Sequence, residues 1–311
     1  MEKISVGIPT YNRPEGLSRT IEQITGQSYE NLEIIISDNA STDPKVRVLL
    51  DTWIAKDPRV RVIFQTENIG MINNFIEVLS CSTSDYFMWA ADDDEWHPDF
   101  IKTCYDALVS NNVGSVMTGF EISFRSLNTR EAQPLPKLGG VDRFQDVILF
   151  FSAMTHGMIY GLHRKDTIIY LLDARREKSL CDDEYILIRQ ILNHGFLTLH
   201  NLNLYTAGMD EYPYKPKLPN EADGHLILYY KRYIHFINLI AENKTLTDEQ
   251  KILVLQKYVI WKLSTLLLFE QDIRSPEQYE LARLIYLLIS KLDLTKIGAY
   301  IQLLDSVNSL K

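Results

Sequence analysis

Short apolar runs alternate with amphipathic stretches through the first 120 residues. The run Leu32–Ser37 holds consecutive isoleucines, the pattern of a strand buried on both faces. Ile4–Ile8, Val60–Phe64, Tyr86–Ala90 and Ser115–Gly119 read as further strands. Helical patterns separate them: from about Glu15 to Thr25, from Asp43-Pro44 to about Ala55, from Ile72 to Cys81, and onward from Pro98. Strands spaced by helices of this length predict βαβ units and a parallel sheet. Right-handed crossovers then bring the loops at the strands' C-terminal ends to one edge, where ligands of such sheets bind.

Past residue 120 the pattern is less regular. Leu135–Gly140 reads as a loop, Asp142–Met154 as a helix, and Asp182–Asn193 as a helix with Ile186, Ile188, Ile191 and Leu192 as its apolar positions. After the proline-broken stretch Tyr212–Pro219 the composition shifts, and from about Gly224 to the end roughly four helical patterns follow, rich in Leu, Ile and Tyr. The expected division is an α/β domain over 1–219, with halves meeting near 120, and an all-helical region over 220–311.

Composition narrows the classes. The chain has 311 residues, 46% hydrophobic and 23% charged, as in an ordinary globular protein. A net charge of −9 argues against nucleic acid as a partner, because phosphate-backbone binding is driven by Lys and Arg. An anionic substrate would instead need a local device such as a divalent cation. Cys81, Cys104 and Cys181 show no metal-ligand spacing and read as reduced thiols. Met1–Val6 lacks a charged-then-apolar leader, and no apolar run nears the roughly 18 residues of a membrane span. The expectation is a cytoplasmic protein, with peripheral contact at the inner face of a membrane left open. Tyr229–Tyr233 and Trp261–Phe269 read as buried helical core ahead of a dimerisation surface or a membrane contact.

Four places carry candidate chemistry. The run Asp92-Asp-Asp-Glu95 follows an apolar strand, and adjacent carboxylates at a strand end repel unless a cation joins them. Hard oxygen donors suit Mg²⁺ or Mn²⁺, whereas a solvated acidic turn before the helix at Pro98 is the plainer alternative. Asp38, in Ser37–Asp43, could accept a nucleobase N–H or belong to a helix-capping cluster. Tyr11 in Pro9–Arg13 could stack on a base, with Arg13 reaching a phosphate; otherwise the ring packs on the sheet. Asp182-Asp-Glu184 opens a helix, where acids compensate the dipole or supply a general base. Missing altogether are a Gly-x-x-x-x-Gly-Lys-[Ser/Thr] loop, a Gly-x-Gly-x-x-Gly turn, a Gly-x-Ser-x-Gly elbow and a His-Glu-x-x-His pair.

The order of these blocks is more telling than any one of them. Val6–Pro14, then Glu33–Asp43, then Glu67-Asn-Ile-Gly70, then Tyr86–Asp94 resembles the family 2 glycosyltransferases of GT-A fold, strongly over about residues 3–125. The likeness continues more faintly through Gly161–Lys165 and Asp182–Gly195, and its flavour is that of bacterial polysaccharide and O-antigen enzymes. The resemblance implies a Rossmann-like mixed sheet and an inverting transfer of a hexosyl or deoxyhexosyl unit. The donor would be a UDP-, dTDP- or other nucleotide-sugar, and the acceptor a glycan or lipid-linked saccharide. It implies that Pro9, Tyr11, Asn12, Arg13 and Asp38 hold the nucleotide, with Asn68, Gly70 and Asn74 lining the nucleoside pocket.

In the acidic block the family reads Asp-x-Asp-Asp, and Ala91 stands in the first position. The resemblance therefore puts Asp93 near the ribose, Asp94 on the Mn²⁺ or Mg²⁺ ion and Asp92 beside them, with Asp183 as base. The late histidine of the family should fall near Tyr205–Gly208, where there is none, and Asp210 or His225 are the substitutes to consider. A nucleotidyltransferase and a non-catalytic nucleotide-binding assembly protein are the rival readings. The first lacks its glycine-rich basic loop; the second is kept alive by Ala91 and the missing histidine.

Overall fold

The computed structural model describes residues 1–153, 155–176, 182–208 and 235–268. Among them, nine strands form a single mixed sheet. Its first part is the expected repeat: β1 (Ile4–Thr10), α1 (Pro14–Thr25), β2 (Leu32–Asp38), α2 (Pro44–Lys56), β3 (Val60–Phe64), α3 (Met71–Ser80) and β4 (Tyr86–Trp89). These four strands lie parallel in the order β3-β2-β1-β4. Thr10 is level with Asp38, and Asp38 with Phe64, so three strand ends share one edge. Every residue of β1 is buried, as befits a strand flanked on both sides.

The second part departs from a purely parallel sheet. It runs β5 (Glu95–Trp96), α4 (Phe100–Asn111), β6 (Ser115–Phe124), β7 (Thr129–Ala132), α5 (Arg143–Phe150), β8 (Leu162–Arg164), α6 (Lys165–Ile168), α7 (Asp183–His194) and β9 (Phe196–Gly208). Short β8 is antiparallel to both β4 and β6, β9 is parallel to β6, and β5 is antiparallel to β9. The two- and three-residue strands β5 and β8 are too short to leave a period in the sequence. β9 also carries a bulge: Thr118 pairs with Leu199, Gly119 with Asn203 and Phe120 with Tyr205.

Of the helical region, 235–241 (α8) and Asp248–Leu268 (α9) are described, while the expected linker Tyr212–Pro219 and the segment Tyr229–Tyr233 lie outside the described residues. Phe236 stacks on Tyr258 at 3.8 Å, and Phe151 at the end of α5 meets Phe236, Tyr258 and Trp261. Leu239, Ile240, Val254 and Leu255 join the same apolar cluster as β1 and α1. The described tail helices thus extend the core of the α/β part. Among the described residues no helix is long and apolar enough to cross a membrane.

Helix α1 does more than cover the sheet. Pro14 opens it with φ already helical, and Leu17, Ile21 and Ile24 face the core. Beside that apolar stripe runs a second one, Arg13, Gly16, Thr20, Gln23 and Gln27, spaced alternately by three and four residues and so on one face. This stripe faces the segment after β4. Thr20 donates to the Ala91 carbonyl at 3.1 Å, Gln23 accepts from Trp96 N–H at 2.9 Å, and Gln27 donates to His97 O and accepts from Ile101 N–H. At Gly16 a Cβ would lie 2.2 Å from the Asp92 carbonyl oxygen, so only glycine allows the approach. Gly16→Ala should therefore destabilise the protein by about 1–3 kcal/mol through overpacking. The check is the denaturant midpoint at unchanged m-value; an unmoved midpoint would show that the contact can relax at no cost.

Candidate functional site

The segment 90–94 leaves β4 at the edge shared by the ends of β1 and β2. Ala90 N–H still bonds to Gly7 O at 2.9 Å, after which three aspartates turn in different directions. Asp92 points to β1: its Oδ2 accepts from the Thr10 hydroxyl at 2.7 Å and its Oδ1 from Arg13 Nη1 at 3.1 Å. Asp94 points to β9: its Oδ2 accepts from Tyr205 OH at 2.5 Å and its Oδ1 from Gly208 N–H at 2.8 Å. Asp93 Oδ2 accepts from the same Arg13 nitrogen at 2.5 Å, and no hydrogen bond to a described residue engages its other oxygen. Its side chain is 17% exposed, against 9% for Asp92.

The turn's backbone is held from the opposite side as well. Arg125, at the end of β6, donates to the Asp93 carbonyl at 2.5 Å, and a Cβ at Gly208 would lie 2.1 Å from that same oxygen. Glu95 bonds with Arg130 at 2.9 Å and lies 3.7 Å from Arg125. Tyr205 is a hub of ring contacts with Trp96, Phe100, Phe120 and Tyr160, so the hydroxyl it offers Asp94 is rigidly placed.

Burial governs the titration of the two inward carboxylates. Desolvation raises Asp92 to about 6, with Asp93 adding to the rise and Arg13 and Thr10 opposing it. Desolvation also raises Asp94 to about 7, reinforced by Asp93 and opposed by Tyr205 and Gly208 N–H. Burial by itself would lower the Arg13 pKa; the charges of Asp92 and Asp93 outweigh it and raise the guanidinium further.

The loops after β1, β2 and β3 form the rest of the edge. Tyr11 is 41% exposed. Pro9 is buried in β1. Asn12, at φ 55, accepts from Thr42 and Asp43 N–H at 2.7 and 3.0 Å, tying the first loop to the second. Asp38 is buried and accepts from Ser41 N–H at 3.0 Å, while Ala40 at φ 60 is held in a left-handed conformation that disfavours residues with a Cβ. Asn39 links onward: it donates to Asn68 Oδ1 at 3.1 Å and accepts from Ile69 N–H at 2.8 Å. Gly70, at φ 84, precedes α3. Asn74, buried in α3, donates to Ser37 O and Thr10 O, drawing the ends of β1 and β2 together, while its Oδ1 is buried without a partner among the described residues.

Asp183 is the first residue of α7, capped by Asp182, whose side chain accepts from Glu184 N–H at 3.1 Å. One turn on, Ile186 is buried in the same apolar cluster as Trp89 and Ile159. Asp210 and His225 lie outside the described residues.

The structure thus gathers Pro9, Tyr11, Asn12, Arg13, Asp38, Asn68, Gly70, Asn74, Asp92 and Asp93 along one sheet edge. Asp94, the residue expected on the metal, accepts from Tyr205 OH with one oxygen and from Gly208 N–H with the other. Sequence reading missed Thr10, Gly16, Asn39, Arg125, Tyr205 and Gly208. Only the three-and-four spacing of Arg13, Gly16, Thr20, Gln23 and Gln27 beside an apolar stripe was there to be seen. As a donor set, the outward oxygen of Asp93 fits a small divalent cation that takes one or two carboxylates and fills its sphere with phosphate and water. Among the described residues no group of three His, Cys, Asp or Glu side chains converges on a closed metal site.

The family model described as "Glycosyl transferase family 2" matches residues 5–165, just over half of the chain. The chain is similar to the abequosyltransferase RfbV of Salmonella typhimurium, 38% identical over 95 residues, 29% of this chain and 28% of that one. It is also similar to the GalNAc(5)-diNAcBac-PP-undecaprenol beta-1,3-glucosyltransferase of Campylobacter jejuni, 32% identical over 95 residues, 30% and 31% of the two chains. The chain therefore spans about a third of the length of these curated relatives. In fold, it resembles the solved structure of S. aureus TarS 1-349, at a TM-score of 0.69 and 14% identity over 99% of this chain and 92% of that one.

The inward carboxylates set a testable pH dependence. In chelated, metal-free buffer Asp94 binds its proton more tightly folded than unfolded, so its contribution to stability is full below the ordinary carboxylate range. That contribution is lost as pH rises through about 7. His163 acts oppositely, since burial lowers it to about 4 and stability drains as pH falls below its ordinary 6.5. Comparing Asp94→Asn with the native protein cancels the histidine. The melting temperature of the variant minus that of the native chain should rise between about pH 5 and pH 8, by roughly 2–4 °C for each kcal/mol. A difference that does not change with pH would refute the burial effect at Asp94.

Proposed function

The chain belongs to the family 2 glycosyltransferases, and we propose that it moves a sugar from a nucleotide-diphosphate donor to a hydroxyl of a glycan or lipid-linked acceptor, with inversion. The observation that carries this reading is Asp93, the carboxylate of the acidic turn with an oxygen left open, set beside Arg13 on the edge that Tyr11, Asp38 and Asn68 line. Tyr11 presents an exposed ring for a base, and Asp38 a carboxylate oxygen for a base N–H. Arg13 faces the diphosphate with a planar donor set suited to phosphate oxygens.

A Mg²⁺ or Mn²⁺ ion bound with the donor would supply Lewis-acid stabilisation of the leaving diphosphate. Asp93 is the residue we assign to hold it, with Asp94 anchoring the turn from behind. Asp183 accepts the proton of the acceptor hydroxyl as that oxygen attacks the anomeric carbon and the bond to the diphosphate breaks. The resemblance to bacterial O-antigen enzymes, and relatives named for abequosyl and undecaprenol-linked glucosyl transfer, support a hexosyl or deoxyhexosyl unit. They also favour a role in surface polysaccharide synthesis, at the cytoplasmic side of a membrane.

The reading is tested with two variants and a donor panel. Thermal stabilisation by UDP-, dTDP-, CDP- and GDP-sugars should single out one nucleotide. Asp183→Asn should lower transfer by about 10²–10⁴-fold while keeping nucleotide binding, whereas Asp93→Asn should lose metal-dependent turnover. Retained turnover in Asp183→Asn removes it as the base, and absence of any nucleotide effect removes the donor assignment.

A further inference from the structure

A single nitrogen of Arg13 spans two neighbouring carboxylates: Nη1 lies 3.1 Å from Asp92 Oδ1 and 2.5 Å from Asp93 Oδ2. That is the place a bridging cation would take. Adjacent carboxylates, one of them buried, stay ionised together only with positive charge between them, and here the protein supplies it. The two acids hold Arg13 unequally. Asp92 keeps the Thr10 hydroxyl as a second partner, while the only hydrogen bond to the Asp93 carboxylate from a described residue is that of Arg13. The backbone of Arg13 is fixed ahead of Pro14, its carbonyl accepting Leu17 N–H at 2.9 Å, so a change of partner involves its side chain alone.

We propose that Arg13 is a resident counter-cation that the donor displaces from Asp93. This rests on the donor-site reading above and adds an order to it. The entering diphosphate draws the guanidinium from Asp93 onto phosphate oxygens, and Asp93 is then open on both oxygens to the divalent cation that arrives with the nucleotide. Asp92 remains held by Thr10 throughout, so the turn keeps its shape. Metal and nucleotide therefore bind with strong positive coupling, and the divalent ion alone binds weakly because Arg13 occupies its place.

The test measures Mn²⁺ binding by the loss of the free-ion paramagnetic resonance signal, with and without UDP, GDP, dTDP or CDP, on the full chain. In the native protein the matching nucleotide should tighten Mn²⁺ binding by about tenfold or more. Arg13→Gln should tighten binding of Mn²⁺ alone by a similar factor, the scale on which one adjacent opposite charge shifts a carboxylate, and should shrink the nucleotide effect correspondingly. Arg13→Met, of similar length and uncharged, serves as the second variant should the first not fold. Arg130→Gln, which removes a charge paired with Glu95, is the control and should leave Mn²⁺ binding within about twofold of native. Unchanged affinity for Mn²⁺ alone in the Arg13 variants overturns the inference, as does an equal gain in Arg130→Gln. A native protein that binds none of the nucleotides overturns the donor-site reading itself, which the first outcome would leave standing.

Discussion

The structure depends on the polar stripe of α1 lying against the backbone of segment 90–101. That segment contains three consecutive aspartates and two strand-like residues, too little to hold itself. Its carbonyls and amides are satisfied by Thr20, Gln23 and Gln27, and Gly16 lets the helix come close enough for this to happen. An unpaired buried backbone group costs about as much as a lost hydrogen bond, so each of these contacts fixes a coordinate of the turn. A helix whose neighbouring apolar stripe is anchored in the core carries the acidic loop with it.

Within the turn, three chemically identical side chains acquire three different tasks. Asp92 and Asp94 are turned inward and satisfied by hydroxyls, a guanidinium and an amide. Asp93 is left facing outward. Burial, with repulsion from Asp93 adding to it, raises both inward carboxylates above their ordinary range. The arrangement keeps a dense acidic cluster at a sheet edge, with the Arg13 guanidinium set against two of its members.

The first half of the fold was legible because its helices and strands are long enough to show their periods, and β2 reads as doubly buried from its apolar run. The acidic block, Asp38 and Tyr11 were legible as an ordered set, since strand ends in a parallel sheet meet on one edge. The division of labour among the aspartates was not. Which oxygen faces outward is decided by Tyr205 and Gly208 on β9, over a hundred positions away in the chain, and by Arg125 at the end of β6. Strands of two or three residues such as β5 and β8 leave no periodic trace, and they are what turns the parallel sheet into a mixed one. The expected separation of a helical tail was drawn from a change in composition, which does not report that Phe236 and Tyr258 pack against Phe151.

The bulge in β9 has a bearing on how such a chain can vary. Three residues of β6, from Thr118 to Phe120, are matched by seven of β9, from Leu199 to Tyr205. The extra length is even, so the alternation of faces survives it and Tyr205 still points at Asp94. Loss of a single residue between His200 and Leu204 would reverse that parity, turning the phenol away and moving Gly208 off the Asp93 carbonyl. Changes in length here are therefore tolerable in pairs and disruptive singly, which makes this stretch a phase-setting element for the acidic turn.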